Sequence, residues 1–146
     1  MSLMAAVDSA QSIADITLVT NLMITFTTIT TIIFIHWVFD FFLQTDAQAK
    51  GKSSKFYWLS KHVSMYGIGI ILMALLIPEL RANVYICYGW IIFNTIAHFF
   101  TDYVTSRASS LLWKDGNTHD FFVVIGIDQF IHYFTLFGSL SYILSL

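Results

Sequence analysis

Seven ionisable side chains interrupt otherwise apolar stretches of the sequence, and six of them form pairs at one fixed spacing. The pairs are His36 and Asp40, His98 and Asp102, and Asp128 and His132, and the seventh residue is His62. Side chains four residues apart lie on one face of an α-helix, with Cβ atoms about 6 Å apart. Imidazole nitrogen and carboxylate oxygen together suit Zn²⁺, Mn²⁺, Fe²⁺ or Ni²⁺. The pattern therefore predicts a centre for one or two divalent metal ions, with all seven residues as candidate ligands.

Charge balance favours a metal over a purely structural role for this group. Carboxylates that lie close together repel one another unless they are protonated or neutralised by a cation. Among the lysines and arginines, only Lys61 is expected to lie where it could pair with them. A polar contact between membrane helices contributes about 0.6 kcal/mol, whereas an aspartate at mid-membrane costs about 2.5–3.5 kcal/mol. Two alternatives stay open: a polar cluster that only fixes helix packing, and a pathway for protons or ions.

The composition predicts that helices in a membrane carry these side chains. The chain has 146 residues, of which 57% are hydrophobic and 11% are charged, and its mean hydropathy is +0.72. About 25% of the residues in a soluble domain are charged. The net charge of −2 argues against a nucleic-acid partner, and the single cysteine, Cys87, excludes an intrachain disulfide.

Four apolar stretches are long enough to cross a bilayer, which takes about 20 helical residues. They cover residues 16–43, 56–80, 84–105 and 121–144, and a short segment, residues 1–15, precedes them. The threonine-rich run 25–35 has strand-like residue types, but an unpaired strand in lipid would leave its backbone polar groups unsatisfied. The predicted fold is all-α: a polytopic membrane protein with one domain, residues 16–146, in which four transmembrane helices form a compact bundle. The repeated His-x-x-x-Asp motif is compatible with a loose duplication of two helical hairpins.

The basic residues predict the orientation of this bundle. Six of the seven fall on one side, namely Lys50, Lys52, Lys55, Lys61, Arg107 and Lys114. Lysine and arginine favour the cytoplasmic side, so the first and third loops are expected in the cytoplasm of a bacterium. Both termini would then lie outside the cytoplasm, across the inner membrane. With about 1.5 Å of rise per helical residue, all seven candidate ligands fall within roughly 5–18 Å of the cytoplasmic boundary.

Four stretches of the chain resemble a family of small four-helix membrane proteins of unknown function from bacteria and phages. They read HWVFDFFLQTDAQAKGK from His36, LSKHVSMY around His62, HFFTD from His98 and DQFIH from Asp128. The resemblance covers most of the chain and implies that Gln44 and Gln129 belong to the site together with the seven ionisable residues. More loosely, the His-x-x-x-Asp motifs resemble the YdjM-type metal-dependent hydrolases of the inner membrane.

Three further residues are expected to orient the metal ligands, as hydrogen-bonding neighbours do in most metal centres. Gln44 continues the helical face of His36 and Asp40 by one turn, and Tyr66 follows His62 by four residues. The third is Gln129, on the strength of the resemblance.

The depth of the centre leads to a hypothesis about its chemistry. A metal near the cytoplasmic boundary could activate water against a membrane lipid or a lipid-linked substrate. A carboxylate or histidine that does not bind the metal could act as general base, and the candidates are Asp128, His132 and His62. The alternatives are a proton or metal-ion transporter or channel subunit, and a structural or interaction protein. The sequence leaves the substrate and the oligomeric state open, and a homo-oligomer is compatible with it.

Overall fold

The computed structural model describes residues 11–12 and 25–146, and in these ranges it is all-α, without a strand. Six elements follow one another: α1 (Phe26–Trp37, continued by a π-helical turn at Val38–Phe42), α2 (Asp46–Gly51), α3 (Phe56–Leu76), α4 (Pro78–Arg81), α5 (Val84–Lys114) and α6 (Thr118–Leu144). Residues 11 and 12 are helical. The rest of the predicted segment 1–15, and the predicted start of the first span at residue 16, lie outside the described residues.

Three of the four predicted spans correspond to helices long and apolar enough to cross a membrane, namely α3, α5 and α6. The first span is described only over Phe26–Phe42, an apolar helix shorter than these three. Its start is set by Thr25, whose side chain accepts a hydrogen bond from the Thr28 backbone N–H. This capping supplies one of the partners that the first turn of a helix lacks.

Helix α3 ends at Leu76, four residues before the predicted end of the second span at about residue 80. Ile77 is extended, with φ −87° and ψ 111°, and Pro78 begins the separate short helix α4. The ring of a proline clashes with a helical backbone at the preceding residue. The chain therefore leaves α3 one residue before Pro78.

The predicted third loop was too long. Helix α5 runs to Lys114 rather than ending at residue 105, so Arg107 and Lys114 lie on the helix. Residues 106–114 contain no glycine or proline to break it, and the turn comes at Gly116, whose φ is +72°. Only glycine adopts that conformation at little cost. Asn117 then caps α6 by accepting from the Asp120 N–H.

The helices bury an apolar core toward one end of the bundle and a polar cluster toward the other. The core includes Ile32, Ile70, Met73, Leu80, Trp90, Leu136 and Leu140. Many large apolar side chains face outward, Phe34, Phe93, Phe130 and Phe134 among them. Exposed aromatics at this density are typical of a lipid-facing surface.

Helix α1 approaches α3 closely at Gly69. A Cβ atom built on Gly69 would lie 2.7 Å from Cγ of Phe39, which is inside van der Waals contact. The absence of a side chain at Gly69 thus allows Phe39 to pack against α3. That contact sets the position of the neighbouring residue, Asp40.

Candidate metal centre

All seven ionisable residues predicted from the sequence meet at one end of the bundle. His36 and Asp40 come from α1 and its π-helical turn, His62 from α3, His98 and Asp102 from α5, and Asp128 and His132 from α6. Six of the seven are buried, and Asp128 keeps 13% of its side chain exposed. The helices therefore place four histidines and three aspartates in one enclosed volume.

The π-helical turn at Val38–Phe42 places Asp40 between helices. The turn is closed by a bond from the Leu43 N–H to the Val38 carbonyl at 2.9 Å. Such single π turns inside α-helices are frequent at functional sites. Asp40 Oδ1 lies 3.0 Å from His62 Nε2 on α3, while Oδ2 lies 3.6 Å from His36 Nε2 on its own helix. The spacing of apolar residues gives no signal for this turn.

Four side-chain atoms form the tightest group, which we call the quartet: Asp40 Oδ1, His62 Nε2, His98 Nε2 and Asp102 Oδ2. His62 Nε2 lies 3.0 Å from each of the two carboxylate oxygens, and His98 Nε2 lies 3.7 Å from each. The two ring nitrogens are 3.3 Å apart. Ligand atoms of a tetrahedral zinc site lie roughly 3.3–3.6 Å from one another, given metal–ligand distances of about 2.0–2.2 Å. The quartet therefore has the donor types of such a site, and its measured separations of 3.0–3.7 Å lie on either side of the tetrahedral range.

Protons alone do not satisfy this group. If both Nε2 atoms carried hydrogens, His62 and His98 would aim two donors at each other across 3.3 Å. If either proton moved to Nδ1, that N–H would have no partner, because the Nδ1 atoms of both rings are buried without one among the described residues. A divalent cation bound to the two bare Nε2 atoms would remove the donor–donor conflict. It would leave a hydrogen on each Nδ1, which has no partner among the described residues. The fit to a metal therefore rests on the donor types and on the 3.3 Å between the two Nε2 atoms.

The expectation about basic partners was wrong. Lys52, in the chain after α2, reaches into the cluster and donates to Asp102 Oδ2 at 2.8 Å. Lys61 instead lies over the rings of Tyr57 and Trp58. Burial disfavours the charge on Lys52, but the carboxylates of Asp102 and Asp40 outweigh that effect and hold the pKa of Lys52 above its ordinary value. A protonated amine thus supplies one positive charge at the edge of the quartet.

The remaining ligand candidates form a second group beside the quartet. His36 Nε2 lies 3.6 Å from Asp40 Oδ2, and His132 Nδ1 lies 3.6 Å from Asp128 Oδ2. The ring of His132 also packs 4.3 Å from the ring of His98, measured between centroids. His132 is 1% exposed, and neither ring nitrogen has a hydrogen-bond partner among the residues that the structure describes.

Two of the three residues expected to orient the ligands contact the cluster. The Tyr66 ring stacks on His98, with centroids 3.6 Å apart and planes 9° apart, and its hydroxyl lies 3.3 Å from His36 Nδ1. The Gln129 amide bonds His36 Nε2 at 3.0 Å through Oε1, and donates to Asp40 Oδ2 and Asp128 Oδ2 through Nε2. The prediction for Gln44 was wrong: within residues 25–146 it makes no hydrogen bond to the cluster, and its Oε1 is buried without a partner. The helical segment ends at Phe42, so Gln44 lies in the connection to α2 and does not continue the helical face of His36.

A cavity of about 640 Å³ opens beside the cluster, between α1, α5 and α6. Asp40, Asp128 and Lys52 reach its wall, which connects the cavity to the candidate ligands. Aromatic side chains line another part of it, namely Phe41, Trp113, Phe121 and Phe122. Hydroxyl groups line the side formed by α5, namely those of Thr105, Ser106, Ser109 and Ser110. The cavity thus joins an apolar wall, a polar wall and the candidate metal centre.

The fold and the cluster define a small helical protein, apolar enough to cross a membrane, whose buried histidines and aspartates could hold a metal ion. The chain belongs to the family described as protein of unknown function DUF3307, whose model matches residues 28–144. This confirms the resemblance to a family of small helical proteins of unknown function. No curated protein and no solved structure matches the chain.

Proposed function

We propose that the protein is a membrane-embedded, metal-dependent hydrolase that cleaves an ester or phosphoester bond in a lipid or lipid-linked substrate. The observation that carries this proposal is the quartet: two histidines and two aspartates from three helices, close enough together to hold one ion, beside a mainly apolar cavity. The metal is a divalent ion that accepts nitrogen and oxygen, such as Zn²⁺ or Mn²⁺.

The membrane setting rests on the helices and on the basic residues. Helices α3, α5 and α6 have the length and composition of spans, and the shorter apolar helix Phe26–Phe42 is the proposed fourth. The basic residues of α2, of the α2–α3 connection and of the end of α5 lie at the end of the bundle that holds the cluster. The positive-inside tendency therefore puts the cluster near the cytoplasmic face of a bacterial inner membrane and both termini outside.

A metal ion in the quartet would supply hydroxide, because it lowers the pKa of bound water to about 7. Asp40, His62, His98 and Asp102 would hold that ion. Asp128 lies outside the quartet at the cavity wall, where it accepts a hydrogen bond from the Thr105 hydroxyl. Its carboxylate is placed to take a proton from water that enters the cavity. That makes Asp128 a better candidate for general base than His62, which belongs to the quartet.

The cavity favours an amphiphilic substrate. Phe41, Trp113 and Phe121 offer an apolar wall for an acyl or prenyl chain, while Lys50 and Lys52 offer positive charge to a phosphate or carboxylate. A long α5 extends this wall beyond the membrane boundary, since its 31 residues exceed the roughly 20 that a bilayer needs. The scissile bond of a lipid held there would lie near the quartet.

A transport role has less support from the described residues. Beyond the cluster, toward the far end of the bundle, the interior is filled by Ile70, Met73, Leu136 and Leu140. A proton or ion relay needs polar groups across the whole span. Within residues 25–146 the buried ionisable groups of a single chain lie at one end, and the buried polar side chains beyond them, Thr28 and Asn94 among them, do not titrate.

In the deciding experiment, the purified protein is incubated with a membrane-lipid extract, with and without chelator, and the products are identified by mass spectrometry. We expect a product that disappears with chelator and with His98→Ala, and that persists with His119→Ala. The His119 side chain is 86% exposed, at the start of α6, which makes it a matched histidine control. Failure of metal-loaded protein to act on any lipid class would refute the hydrolase.

A further inference from the structure

We propose that the cluster holds a second divalent ion next to the first, with Asp40 as the bridge between them. This inference rests on the proposed function, because it takes the quartet as the first site. The second site is built on His36, Asp40 and His132, whose ligand atoms lie within 4.8 Å of one another. Asp128 Oδ2 lies 3.6 Å from His132 Nδ1 and would move toward His36 and Asp40 to complete the site. Each ion would then have two histidines and two aspartates, with Asp40 shared.

The two oxygens of Asp40 face different groups of ligands. Oδ1 lies 3.0 Å from His62 Nε2 and 3.7 Å from His98 Nε2. Oδ2 lies 3.6 Å from His36 Nε2 and 4.0 Å from His132 Nδ1. A single ion in the quartet would use only Oδ1 of Asp40, so it would not account for the two imidazoles that face Oδ2. Carboxylates with this divided arrangement are suited to metal pairs, whose ions are generally about 3.5–4 Å apart.

The strongest independent observation is His132. Its ring is 1% exposed, and both nitrogens lack a hydrogen-bond partner among the described residues. Nδ1 points into the second site, toward Asp40 and Asp128. A buried imidazole without a partner is costly, and a metal on Nδ1 would relieve that cost.

The other nitrogen of His132 faces a suitable neighbour. Nε2 lies 3.9 Å from Asp102 Oδ1, which is itself buried without a partner. With a metal on Nδ1, the proton of His132 would sit on Nε2, and metal-binding histidines almost always donate their second N–H to a neighbouring acceptor. At 3.9 Å the two atoms are too far apart for a hydrogen bond. A shift of about 1 Å on metal binding would pair them, because such bonds are about 2.9 Å long.

Gln129 fills the second site when no ion is bound. Its amide contacts His36 Nε2, Asp40 Oδ2 and Asp128 Oδ2 at 3.0, 3.2 and 2.9 Å. These are three of the four atoms assigned to the second ion. Gln129 is only half-buried, so the amide can turn away when an ion enters. Lys52 has the corresponding position at the first site, with Nζ 2.8 Å from Asp102 Oδ2 and 3.5 Å from His62 Nε2.

A second ion would also change the roles assigned to two residues. Asp128 and His132, the candidates for general base, would become ligands. In two-metal sites the ions stabilise both the attacking and the leaving oxygen. Such a centre favours a phosphoester over a carboxylic ester, because a phosphoryl group offers oxygens to both ions.

The test is a metal count on the full chain, purified in detergent, stripped with chelator and reloaded with Mn²⁺. We expect about two ions per chain in the wild type and about one in His132→Ala, Asp128→Asn and His98→Ala. His119→Ala, at the exposed histidine, should keep both. Mn²⁺ spectra of the wild type should show the broadened, exchange-coupled signal of a pair, and His132→Ala the signal of an isolated ion.

The outcomes separate this inference from the proposed function. One ion per chain, lost in His98→Ala and kept in both His132→Ala and Asp128→Asn, would overturn the second site and leave the quartet intact. No bound ion in the wild type would overturn both proposals. If His132→Ala does not fold, Asp128→Asn and the wild-type spectrum decide, because Asp128→Asn preserves the shape of a half-buried side chain.

Discussion

Lys52 Nζ lies 2.8 Å from Oδ2 of Asp102, although 50 residues separate them in the chain. The ammonium group stands next to two of the four quartet atoms, since His62 Nε2 is also within 3.5 Å. It therefore balances part of the negative charge of the quartet in the absence of a metal. The same position makes Lys52 a competitor of any cation that binds there.

The first prediction follows from this competition. Lys52→Met should lower the stability of the metal-free protein by about 3–5 kcal/mol, because it leaves the buried Asp102 without its partner. Added Zn²⁺ should restore the stability and bind several-fold more tightly than to the wild type. Thermal unfolding in detergent, measured across a Zn²⁺ titration, gives both quantities.

Lys50→Met is the matched control for that experiment. Lys50 pairs with Asp46 at the surface, where both side chains are more than four-fifths exposed. Exposed pairs of this kind contribute about 0–1 kcal/mol, so this variant should behave like the wild type. Equal Zn²⁺ affinity in Lys52→Met and Lys50→Met would contradict the role assigned to Lys52.

The second prediction concerns the contact that positions Asp40. Gly69→Ala would put a Cβ atom 2.7 Å from the ring of Phe39. Overpacking of this kind costs about 1–3 kcal/mol, and the displaced Phe39 would carry Asp40 with it. The variant should therefore lose stability and bind metal more weakly, as thermal unfolding and metal analysis would record.

Gly126→Ala provides the comparison on α6. A Cβ atom there meets nothing within 4 Å, and alanine is favoured over glycine inside a helix by about 1 kcal/mol. Gly126→Ala should thus be neutral or stabilising, with unchanged metal content. Loss of metal in both glycine variants would mean that Gly69 has no special part in placing Asp40.

The membership of the cluster could be predicted from the sequence, because it depends on two features that the sequence alone reveals: the length of the apolar runs and one helical periodicity. Helices α3, α5 and α6 follow from the length of their apolar runs. The pairs His98–Asp102 and Asp128–His132 follow from the four-residue repeat of a helix face. Once such helices are bundled, polar side chains at one level along them must meet, since each would otherwise lie on the apolar outer surface.

What the sequence did not reveal depends on contacts between distant segments. Lys52 reaches Asp102 because α2 folds back over the end of the bundle, and nothing in the local pattern of residues 46–52 specifies that direction. Gln44 does not bond to the cluster because the helix ends at Phe42, whereas the prediction continued it by another turn. In both cases the local pattern was interpreted correctly, but the path of the backbone was not.

The third prediction concerns orientation. If the positive-inside tendency governs this chain, positions 55 and 114 face the cytoplasm and position 146 faces outside. Lys55, Lys114 and Leu146 are exposed, so single cysteines placed there can react. In a Cys87→Ala background, a membrane-impermeant maleimide added to intact cells should label position 146 only. Labelling of position 55 from outside would reverse the orientation.

The last prediction separates two roles of Tyr66. Its hydroxyl lies 3.3 Å from His36 Nδ1, and its ring stacks on His98 at 3.6 Å between centroids. Tyr66→Phe keeps the ring and removes only the hydroxyl, which as a neutral hydrogen bond contributes about 0.5–1.5 kcal/mol. Tyr66→Leu also removes the ring that stacks on His98 and leaves a cavity. Truncating a large core side chain typically lowers the free energy of unfolding by about 2–5 kcal/mol.

The two variants should differ in metal binding, because the hydroxyl contacts His36 and the ring contacts His98. Tyr66→Phe should weaken binding of the second ion while the first stays bound, and Tyr66→Leu should weaken binding of both. Metal counts and thermal unfolding of the two variants, side by side, check this, and an unchanged second ion in Tyr66→Phe would show that His36 is held by Gln129 and the surrounding helices alone.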